Sequence, residues 1–245
     1  MDYNTFYTNA AQNYNDSRLD EGAVFDYTVE YIVSHLHSKN LNILDVGCGT
    51  GEYAAALIKL GYNVQGIDKS LAQVRIASQK IPAFQGDILS LTQPDDSVDI
   101  ILMIMMIHQI ADSDIDKAFS ELARVLKSGG LVIIKTCFES DIENRITSRY
   151  FPSCLSFDKS RFHNKKRLFY ANENFVPCSC DKVTIPMNIS KDRLVEKLLL
   201  RGASNIGMIS EEELNQGIVK LLNDYSNQDI IELSFDNTFL ILKRL

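Results

Sequence analysis

The feature that most constrains the fold of this chain is a glycine-rich turn, ILDVGCGTG, which runs from Ile43 to Gly51. A short apolar run rich in β-branched residues leads into the turn, and a helical pattern begins directly after it. Glycines let the backbone turn sharply and let a ligand approach without interference from a Cβ atom. A strand, a glycine turn and a helix in succession are typical of open α/β sheets, which bind ligands at the carboxyl ends of their strands. The sequence therefore predicts a binding site at this turn.

Strand-like and helical patterns alternate over the first half of the chain. Apolar runs predict strands at 41–46, 63–67, 82–85, from 98 onward, and at 131–136 after the break at Ser128-Gly129-Gly130. Three- and four-residue spacings predict helices at 20–37, 52–60, 70–79 and 112–126, with Ser70 as an N-cap. Unbroken apolar strands indicate a parallel sheet covered on both faces. We therefore predict an α/β fold with a doubly wound, mostly parallel sheet.

Bulk composition excludes several classes of protein. The formal net charge of −7 disfavours a constitutive nucleic-acid binder, which needs a basic face. The most apolar run, 98–107, is shorter than the roughly 18 residues of a membrane span, and the amino-terminal stretch is polar and aromatic rather than leader-like. Five irregularly spaced cysteines form no CxxC pair, so we expect neither a disulfide framework nor a bound metal. We expect a reduced cytoplasmic protein without membrane contacts, as a monomer or homodimer.

Acidic residues around the glycine turn discriminate between two classes of cofactor. Dinucleotide enzymes use GxGxxG, but the spacing here is GxGxG, and Asp45 stands two residues before the first glycine. A carboxylate there would repel a pyrophosphate but suits the α-amino group of S-adenosyl-L-methionine. Asp68 ends the second predicted strand, at the right distance for ribose hydroxyls, and Asp87 follows the third, beside Ile88, where it could hold the adenine amino group. The three acids favour S-adenosyl-L-methionine, with S-adenosyl-L-homocysteine as its product.

The segment from 43 to 136 resembles the core of the class I S-adenosylmethionine-dependent methyltransferases, in particular the small-molecule group that includes the ubiquinone and menaquinone methyltransferases. Besides the glycine turn, the resemblance rests on VDIILMIMMIHQI at 98–110 and ELARVLKSGGLVIIK at 121–135. FYTNAAQNYNDSR at 6–18 is similar to the aromatic-flanked amino-terminal helix of the group. The resemblance covers about half the chain, and the segment after Phe138, where such enzymes choose substrates, matches only loosely.

The resemblance implies a Rossmann-like, doubly wound and mostly parallel seven-stranded sheet, and with it an organisation of the chain. We expect one domain, 1–245, with amino-terminal lid helices at 1–40 and a cofactor-binding core at 41–137. A substrate-side insertion and cap would follow at 138–228, and a closing strand at 229–245. Within the loosely patterned part, a strand is predicted at 182–186, helices at 191–201 and 211–225, and a final strand at 238–243. A length of 245 residues suits one α/β domain with embellishments.

The resemblance also assigns residues to the cofactor. The expected contacts are Tyr14, Arg18, Asp45, Gly47, Cys48, Gly49, Gly51, Asp68, Lys69, Asp87, Ile88 and Met103. The glycines would lie under the methionine part and Met103 near the sulfonium. Cys48 is expected to fit the turn as a small residue rather than to act as a nucleophile.

His108 is the leading catalytic residue. It follows the fourth strand, where similar enzymes place a histidine facing the methyl group, and a side chain that titrates near neutrality suits proton removal. The alternative is a histidine that packs on the adenosine or orders a loop.

Tyr7, Tyr14 and Arg18 lie at spacings of seven and four, so one helix face could carry all three. In that case Arg18 could pair with the methionine carboxylate of the cofactor. Alternatively, the two tyrosines only fasten the helix to the core and Arg18 is solvated.

Contacts with the methyl acceptor are predicted for Tyr7, Met106, Lys135, Arg149 and Arg161. The basic cluster KSRFHNKKR at 159–167 could bind RNA, close over an anionic acceptor, or form a solvated face. Cys178 and Cys180, with other cysteines, could bind trivalent arsenic as in arsenite methyltransferases. The leading hypothesis is methyl transfer to O, N or C of a small-molecule metabolite. RNA or tRNA methylation, arsenite methylation, and cofactor binding without catalysis are the alternatives.

Overall fold

The computed structural model describes residues 6–7, 10–19, 22–162 and 172–245. These residues group into two compact units. The sheet unit comprises the described residues within 27–136, 164–182 and 238–245, and the helical unit comprises those within 1–26, 137–163 and 183–237. The expectation of one domain with boundaries at 40, 137 and 228 stays a prediction.

The described residues contain a seven-stranded sheet in the order β3-β2-β1-β4-β5-β7-β6. The strands are β1 Asn42–Val46, β2 Asn63–Asp68, β3 Ala83–Gln85, β4 Val98–Ile104, β5 Leu126–Thr136, β6 Phe175–Ser190 and β7 Ile230–Arg244. Neighbours among β1 to β5 pair in parallel, whereas β7 runs antiparallel to β5. The predicted mostly parallel, Rossmann-like fold is confirmed.

Helices connect the parallel strands and make up most of the helical unit. In chain order they are α1 Tyr14–Ser17, α2 Ala23–Ser34, α3 Glu52–Lys59, α4 Leu71–Ala77, α5 Ile115–Val125, α6 Glu139–Ile142, α7 Ile146–Tyr150, α8 Pro152–Phe162, α9 Lys191–Leu200, α10 Ser204–Gly207 and α11 Glu211–Asp224. Two 3-10 turns, Ile107–Gln109 and Asp112–Asp114, lie between β4 and α5. The second turn occupies the first three residues of the helix predicted at 112–126, so α5 begins at Ile115 instead of Asp112. No helix in these ranges is both long and apolar enough to cross a membrane.

Burial explains why the central strands and helices form. Six of the seven residues of β4 are buried, as expected for a strand covered on both faces. The buried residues of α5 include Ile115, Phe119 and Leu122, at the three- and four-residue spacing of one helix face. This face packs on β5. Apolar burial therefore fixes the strands whose carboxyl ends carry the predicted site.

The end strands differ from the prediction. β5 begins at Leu126 and continues through Gly129 and Gly130, where the sequence predicted a break. A Cβ atom at Gly130 would lie 2.8 Å from the Asp99 carbonyl oxygen, so the glycine lets the strand pass close to β4, whose register shifts between Val98 and Ile100. The predicted 182–186 and 238–243 strands are the middle and end of the much longer β6 and β7.

The amino-terminal segment is not one helix within the described residues. A turn at 11–13 separates Ala10, which is helical, from α1, and Arg18 already has an extended backbone. The expectation that one helix face carries Tyr7, Tyr14 and Arg18 is therefore wrong. Asparagine at position 13 favours this interruption, because its side chain competes with helical hydrogen bonding.

The helical unit has its own apolar core. Buried side chains from α7 to α11 form it, among them Phe151, Leu194, Leu198, Ile206, Leu214 and Leu221. Two of its helices begin at serines that act as N-caps: the Ser190 hydroxyl accepts from the Arg193 amide at 3.3 Å, and the Ser210 hydroxyl from the Glu213 amide at 3.1 Å. Gly217 of α11 faces Phe151, and a Cβ atom there would overlap the phenyl ring and lie 2.8 Å from the Tyr150 carbonyl oxygen.

We expect Gly217→Ala to destabilise the protein, although alanine ordinarily stabilises a helix by up to about 1 kcal/mol relative to glycine. Overlap with Phe151 should instead lower the free energy of unfolding by about 1–3 kcal/mol. Chemical denaturation followed by circular dichroism measures the change. The control is Val219→Ala on the exposed side of the same helix, which should change the value by no more than about 0.5 kcal/mol. A more stable Gly217→Ala variant would contradict this packing.

Candidate active site

The glycine turn connects the end of β1 to the start of α3. The Gly47 and Cys48 amides both donate to the Ile67 carbonyl oxygen of β2, at 2.8 and 3.0 Å. Gly47, Gly49 and Gly51 have φ values of +74°, +56° and +82°, in the region that favours glycine. A Cβ atom at Gly47 would lie 2.8 Å from the Cβ of Met106, so the turn and the segment after β4 approach as closely as only glycine permits.

Asp45 lies one residue before the end of β1 and is buried. Burial, together with the negative charge of Asp68, raises the pKa of Asp45 to about 7. The described residues provide no cation that pairs with this carboxylate. Buried carboxylates are normally paired or bind a positively charged group, so the arrangement suits a ligand that brings its own cation.

Asp68 ends β2 and is held by the backbone on both sides. Its carboxylate accepts from the Gly49 amide at 2.9 Å and from the Ser70 amide at 2.8 Å. Burial raises the pKa of Asp68, and these amide hydrogen bonds offset the increase in part. Ser70 occupies the predicted N-cap position of α4, but its hydroxyl does not cap the helix. This buried hydroxyl oxygen has no hydrogen-bond partner within the described ranges.

Asp87 follows β3 in a tight turn. It accepts a hydrogen bond from the Leu89 amide at 3.0 Å and pairs with Lys69 at 2.8 Å. Its partial burial would raise its pKa, but the Lys69 ammonium and the Leu89 amide outweigh that effect and lower it. Ile88 is buried beside it. An ionised carboxylate next to an apolar side chain is the arrangement that the sequence predicted for binding an adenine amino group.

Cys48 is a packing residue of the turn. Its sulfur lies against the backbone of Gly66 in β2, where a Cβ atom would be only 2.7 Å from the sulfur. Burial raises the pKa of the thiol, and the neighbouring charges of Asp45 and Asp68 raise it further. A thiol held in its protonated form is a poor nucleophile, which agrees with the role expected from the sequence.

The end of β4 carries the remaining predicted residues near the turn. Met103 is fully buried in the strand, and Met105, with φ +54°, turns the chain so that Met106 packs on Gly47. The Met105 amide donates to the Lys135 carbonyl oxygen of β5 at 2.8 Å. His108 is buried in the following 3-10 turn, which packs against β5.

Lys135 is fully buried near the carboxyl end of β5. Its ammonium lies 3.5 Å from the hydroxyl oxygen of Tyr53, in the first turn of α3. Sequence reasoning missed Tyr53, although it stands only two residues after the last glycine of the motif. It also gave no role to Ser70 beyond capping, or to Glu121 and Arg124, which stand three residues apart in the 121–135 pattern.

Five predicted residues belong to the helical unit. Tyr7 and Tyr14 make an edge-to-face contact, with ring centroids 5.8 Å apart, and the Arg18 guanidinium lies 5.6 Å from the Tyr14 ring centroid. Arg149 is exposed on α7. Arg161 is buried, donates to the Ser204 hydroxyl at 2.7 Å and lies 3.9 Å from Asp158. Their roles toward cofactor or acceptor stay predictions.

The basic cluster lies only partly within the described residues. Lys159 pairs with Glu143 at 2.7 Å, and positions 163–167 are outside the described ranges. Cys178 and Cys180 are exposed on β6. Wherever the structure describes the chain, no three His, Cys, Asp or Glu side chains come together as a metal site.

Comparison with known proteins agrees with this geometry. Residues 44–134 match the family model described as a methyltransferase domain. A demethylmenaquinone methyltransferase of Tropheryma whipplei is 36% identical over 97 residues, which cover 38% of this chain and 40% of that protein. The chain spans about half the length, or less, of the curated relatives it matches.

Solved structures with low sequence identity share the fold. A candidate methyltransferase of an antibiotic biosynthesis pathway from Anabaena variabilis has a TM-score of 0.66 at 22% identity and covers 90% of this chain and 97% of its own. Geranyl diphosphate C-methyltransferase from Streptomyces coelicolor, solved with S-adenosyl-L-homocysteine, has a TM-score of 0.56 at 16% identity and covers 91% and 80%. Residues 44–134 thus match the methyltransferase domain family within this shared fold, and the expected resemblance to the quinone methyltransferases is confirmed.

We expect Asp45→Asn to stabilise the protein above neutral pH. In the unfolded chain the carboxyl loses its proton near pH 4, but in the folded protein only near pH 7. Between these values the folded state holds a proton that the unfolded state releases, so the free energy of unfolding falls as the pH rises. Three pKa units correspond to at most about 4 kcal/mol. Asp45→Asn should remove this fall, measured by denaturation from pH 5 to pH 8.

The matched control is Asp99→Asn, at the amino end of β4. Partial burial would raise the pKa of Asp99, but Lys127 and the Asn42 amide outweigh it and lower the pKa. Its folded and unfolded pKa values therefore both lie below pH 5, and Asp99→Asn should keep the wild-type slope between pH 5 and pH 8. If Asp45→Asn also kept that slope, Asp45 would not be the acid that makes the free energy of unfolding fall as the pH rises.

Proposed function

We propose that this protein is an S-adenosyl-L-methionine-dependent methyltransferase that acts on a small-molecule acceptor. One observation carries the proposal: Asp45, Asp68 and Asp87 stand at or just beyond the carboxyl ends of three adjacent parallel strands, around a turn that only glycines can form. The family match of residues 44–134 supports it, as does the structural relative that was solved in complex with S-adenosyl-L-homocysteine.

The residues of the sheet unit fit this cofactor. Asp45 is a buried carboxylate for which the described residues provide no cation, and the α-ammonium of the methionine part would supply one. Each oxygen of Asp68 has a lone pair left after accepting one amide, which suits ribose hydroxyls. The buried hydroxyl of Ser70, next to Asp68, has a hydrogen bond to offer to the same part of the ligand. A dinucleotide would instead place its negatively charged pyrophosphate near the carboxylates of Asp45 and Asp68, which would repel it.

The protein's part in the reaction is largely positioning. When bound, S-adenosyl-L-methionine would supply an electrophilic methyl group on its sulfonium. Asp45, Asp68 and Asp87 would hold the ammonium, ribose and adenine, and so fix where the methyl group lies. Met103 and Met106 provide apolar, adaptable surface at the end of β4, which would exclude water from the site of attack. Orientation of two reactants in this way accounts for much of the rate enhancement of a displacement.

We assign His108 as the general base that removes a proton from the acceptor. It lies in the turn directly after β4, on the segment that also carries Met106, and its burial limits competition from water. Lys135 and Tyr53, at the end of the neighbouring strand and in the first turn of α3, are assigned to the acceptor side. The formal net charge of −7 favours a metabolite over RNA as acceptor.

Isothermal titration calorimetry with S-adenosyl-L-homocysteine tests cofactor binding. We expect the wild-type protein to bind it and Asp68→Asn to bind about tenfold or more weakly, because a hydrogen bond to a charged acceptor contributes about 1.5–3 kcal/mol. Asp99→Asn, which changes a carboxylate at the opposite end of the sheet, should bind like the wild type. Binding of NAD⁺ in place of S-adenosyl-L-homocysteine would overturn the assignment.

Replacement of His108 by glutamine tests the catalytic role. With an acceptor found by screening phenols, amines, carboxylic acids and enolisable ketones for S-adenosyl-L-homocysteine release, turnover should fall by about 10²–10⁴-fold. The affinity for S-adenosyl-L-homocysteine should stay within about threefold of the wild-type value, since a base contributes little to ground-state binding of the product.

Two results would count against this function. Retained single-turnover rate in His108→Gln would assign His108 to packing or loop order instead of proton removal. Binding of S-adenosyl-L-homocysteine with no turnover across the whole acceptor panel would favour a protein that binds the cofactor without catalysis.

A further inference from the structure

Arg124, at the carboxyl end of α5, uses every hydrogen-bond donor that it has. Its Nε and one Nη2 hydrogen bond go to the two oxygens of Glu121, at 3.0 and 2.9 Å. The other bonds reach the Leu91 and Gln93 carbonyl oxygens, at 2.7 and 2.9 Å, and the Asp95 carboxylate, at 2.7 Å. A guanidinium has five N–H donors in a fixed plane, and here all five meet an acceptor. A guanidinium with all of its donors bound fixes the groups around it in one arrangement.

Arg124 holds the segment 91–95, which has no helix or strand of its own. Two of its carbonyl groups depend on Arg124, and the Leu91 amide donates to Glu121 at 2.8 Å. The Asp96 amide then donates to the Arg124 carbonyl oxygen at 3.0 Å. Main-chain polar groups of an irregular segment need such partners, and this ion pair supplies three of them, the Leu91 and Gln93 carbonyl oxygens and the Leu91 amide.

The held segment follows directly on the turn that carries Asp87 and Ile88. The Ser90 amide donates to the Asp87 carbonyl oxygen at 2.9 Å, and the Leu89 amide to the Asp87 carboxylate at 3.0 Å. Leu91 is the next residue along the chain. Hydrogen bonds from α5 therefore fix Leu91, and the chain leads from there directly to Ser90 and Leu89, whose amides bind Asp87.

We infer that Arg124, with Glu121, is a positioning residue that sets the recognition of the cofactor's purine base by fixing Asp87. This inference rests on the proposed function, in which Asp87 accepts a hydrogen bond from the 6-amino group of adenine. Lysine cannot replace arginine here, because an ammonium has three donors at a single point and cannot span Leu91, Gln93 and Glu121. Arg124→Lys therefore removes the geometry and keeps the charge.

The test compares S-adenosyl-L-homocysteine with S-inosyl-L-homocysteine, which has an oxygen in place of the 6-amino group. Wild-type protein should prefer the adenine compound by about tenfold or more, since the oxygen cannot donate to Asp87. In Arg124→Lys the affinity for the adenine compound should fall about tenfold while that for the inosyl compound changes little, so the preference is lost. Titrations are made well below the thermal midpoint of each variant.

Two further variants separate this role from simple stabilisation. Arg193→Lys in α9 changes an arginine that also pairs with a glutamate three residues away, Glu196, and should keep the full preference. Glu121→Gln keeps the shape of the side chain and should reduce the preference for the adenine compound in part. This variant tests the inference if Arg124→Lys does not fold. An unchanged preference in both Arg124→Lys and Glu121→Gln would overturn the inference, as would a wild-type protein that binds both compounds equally. Failure of the wild-type protein to bind either compound would instead refute the proposed function.

Discussion

The Ile67 carbonyl oxygen is the acceptor on which the geometry of the site depends. It accepts from the Gly47 and Cys48 amides and so ties the turn after β1 to the end of β2. This link places the Gly49 amide against Asp68 and brings Asp68 close enough to raise the pKa of Asp45. The glycines are needed because the same turn has positive φ angles and is covered by Met106. One backbone oxygen thus fixes the conformation of the turn. The turn then sets the positions of Asp45 and Asp68 relative to each other and the surface on which Met106 packs.

Asp45 shows how the site and the stability of the fold oppose each other. A carboxyl group in this position is neutral or energetically unfavourable near pH 7, because burial and Asp68 both act against its charge. An apolar or amide side chain would fit a buried strand better, and proteins commonly keep such costly groups where a ligand compensates for them. A cationic ligand group would do so here and would release a proton on binding below neutral pH. The fold and the proposed binding chemistry are therefore linked through protons.

The sheet and the first half of the site could be predicted because their signals are local. β1 and β4 are mainly apolar, β2 ends in Gly66-Ile67-Asp68, and their position in a parallel sheet brings the ends of the three strands together. β6 could not be predicted in full, because its first half, FVPCSCDK, has no alternation of apolar and polar residues to match the alternating exposure of the strand. Pairs such as Lys135 with Tyr53, 82 positions apart, leave no periodic trace. The same holds for the contacts of Arg124 with Leu91 and Gln93, because their carbonyl groups are ones that every residue possesses.

The two outer strands limit how the backbone of another chain can pair with the edges of the sheet. β3 has only three residues, and β6, at the other edge, contains Pro177 and Pro186, which have no amide hydrogen to donate. The short β3 offers little backbone to another chain, and the prolines interrupt the row of amide donors in β6, so both edges are weakened as templates for intermolecular pairing. An unfolded neighbour would therefore find a short row of backbone groups at β3 and an interrupted one at β6 with which to pair.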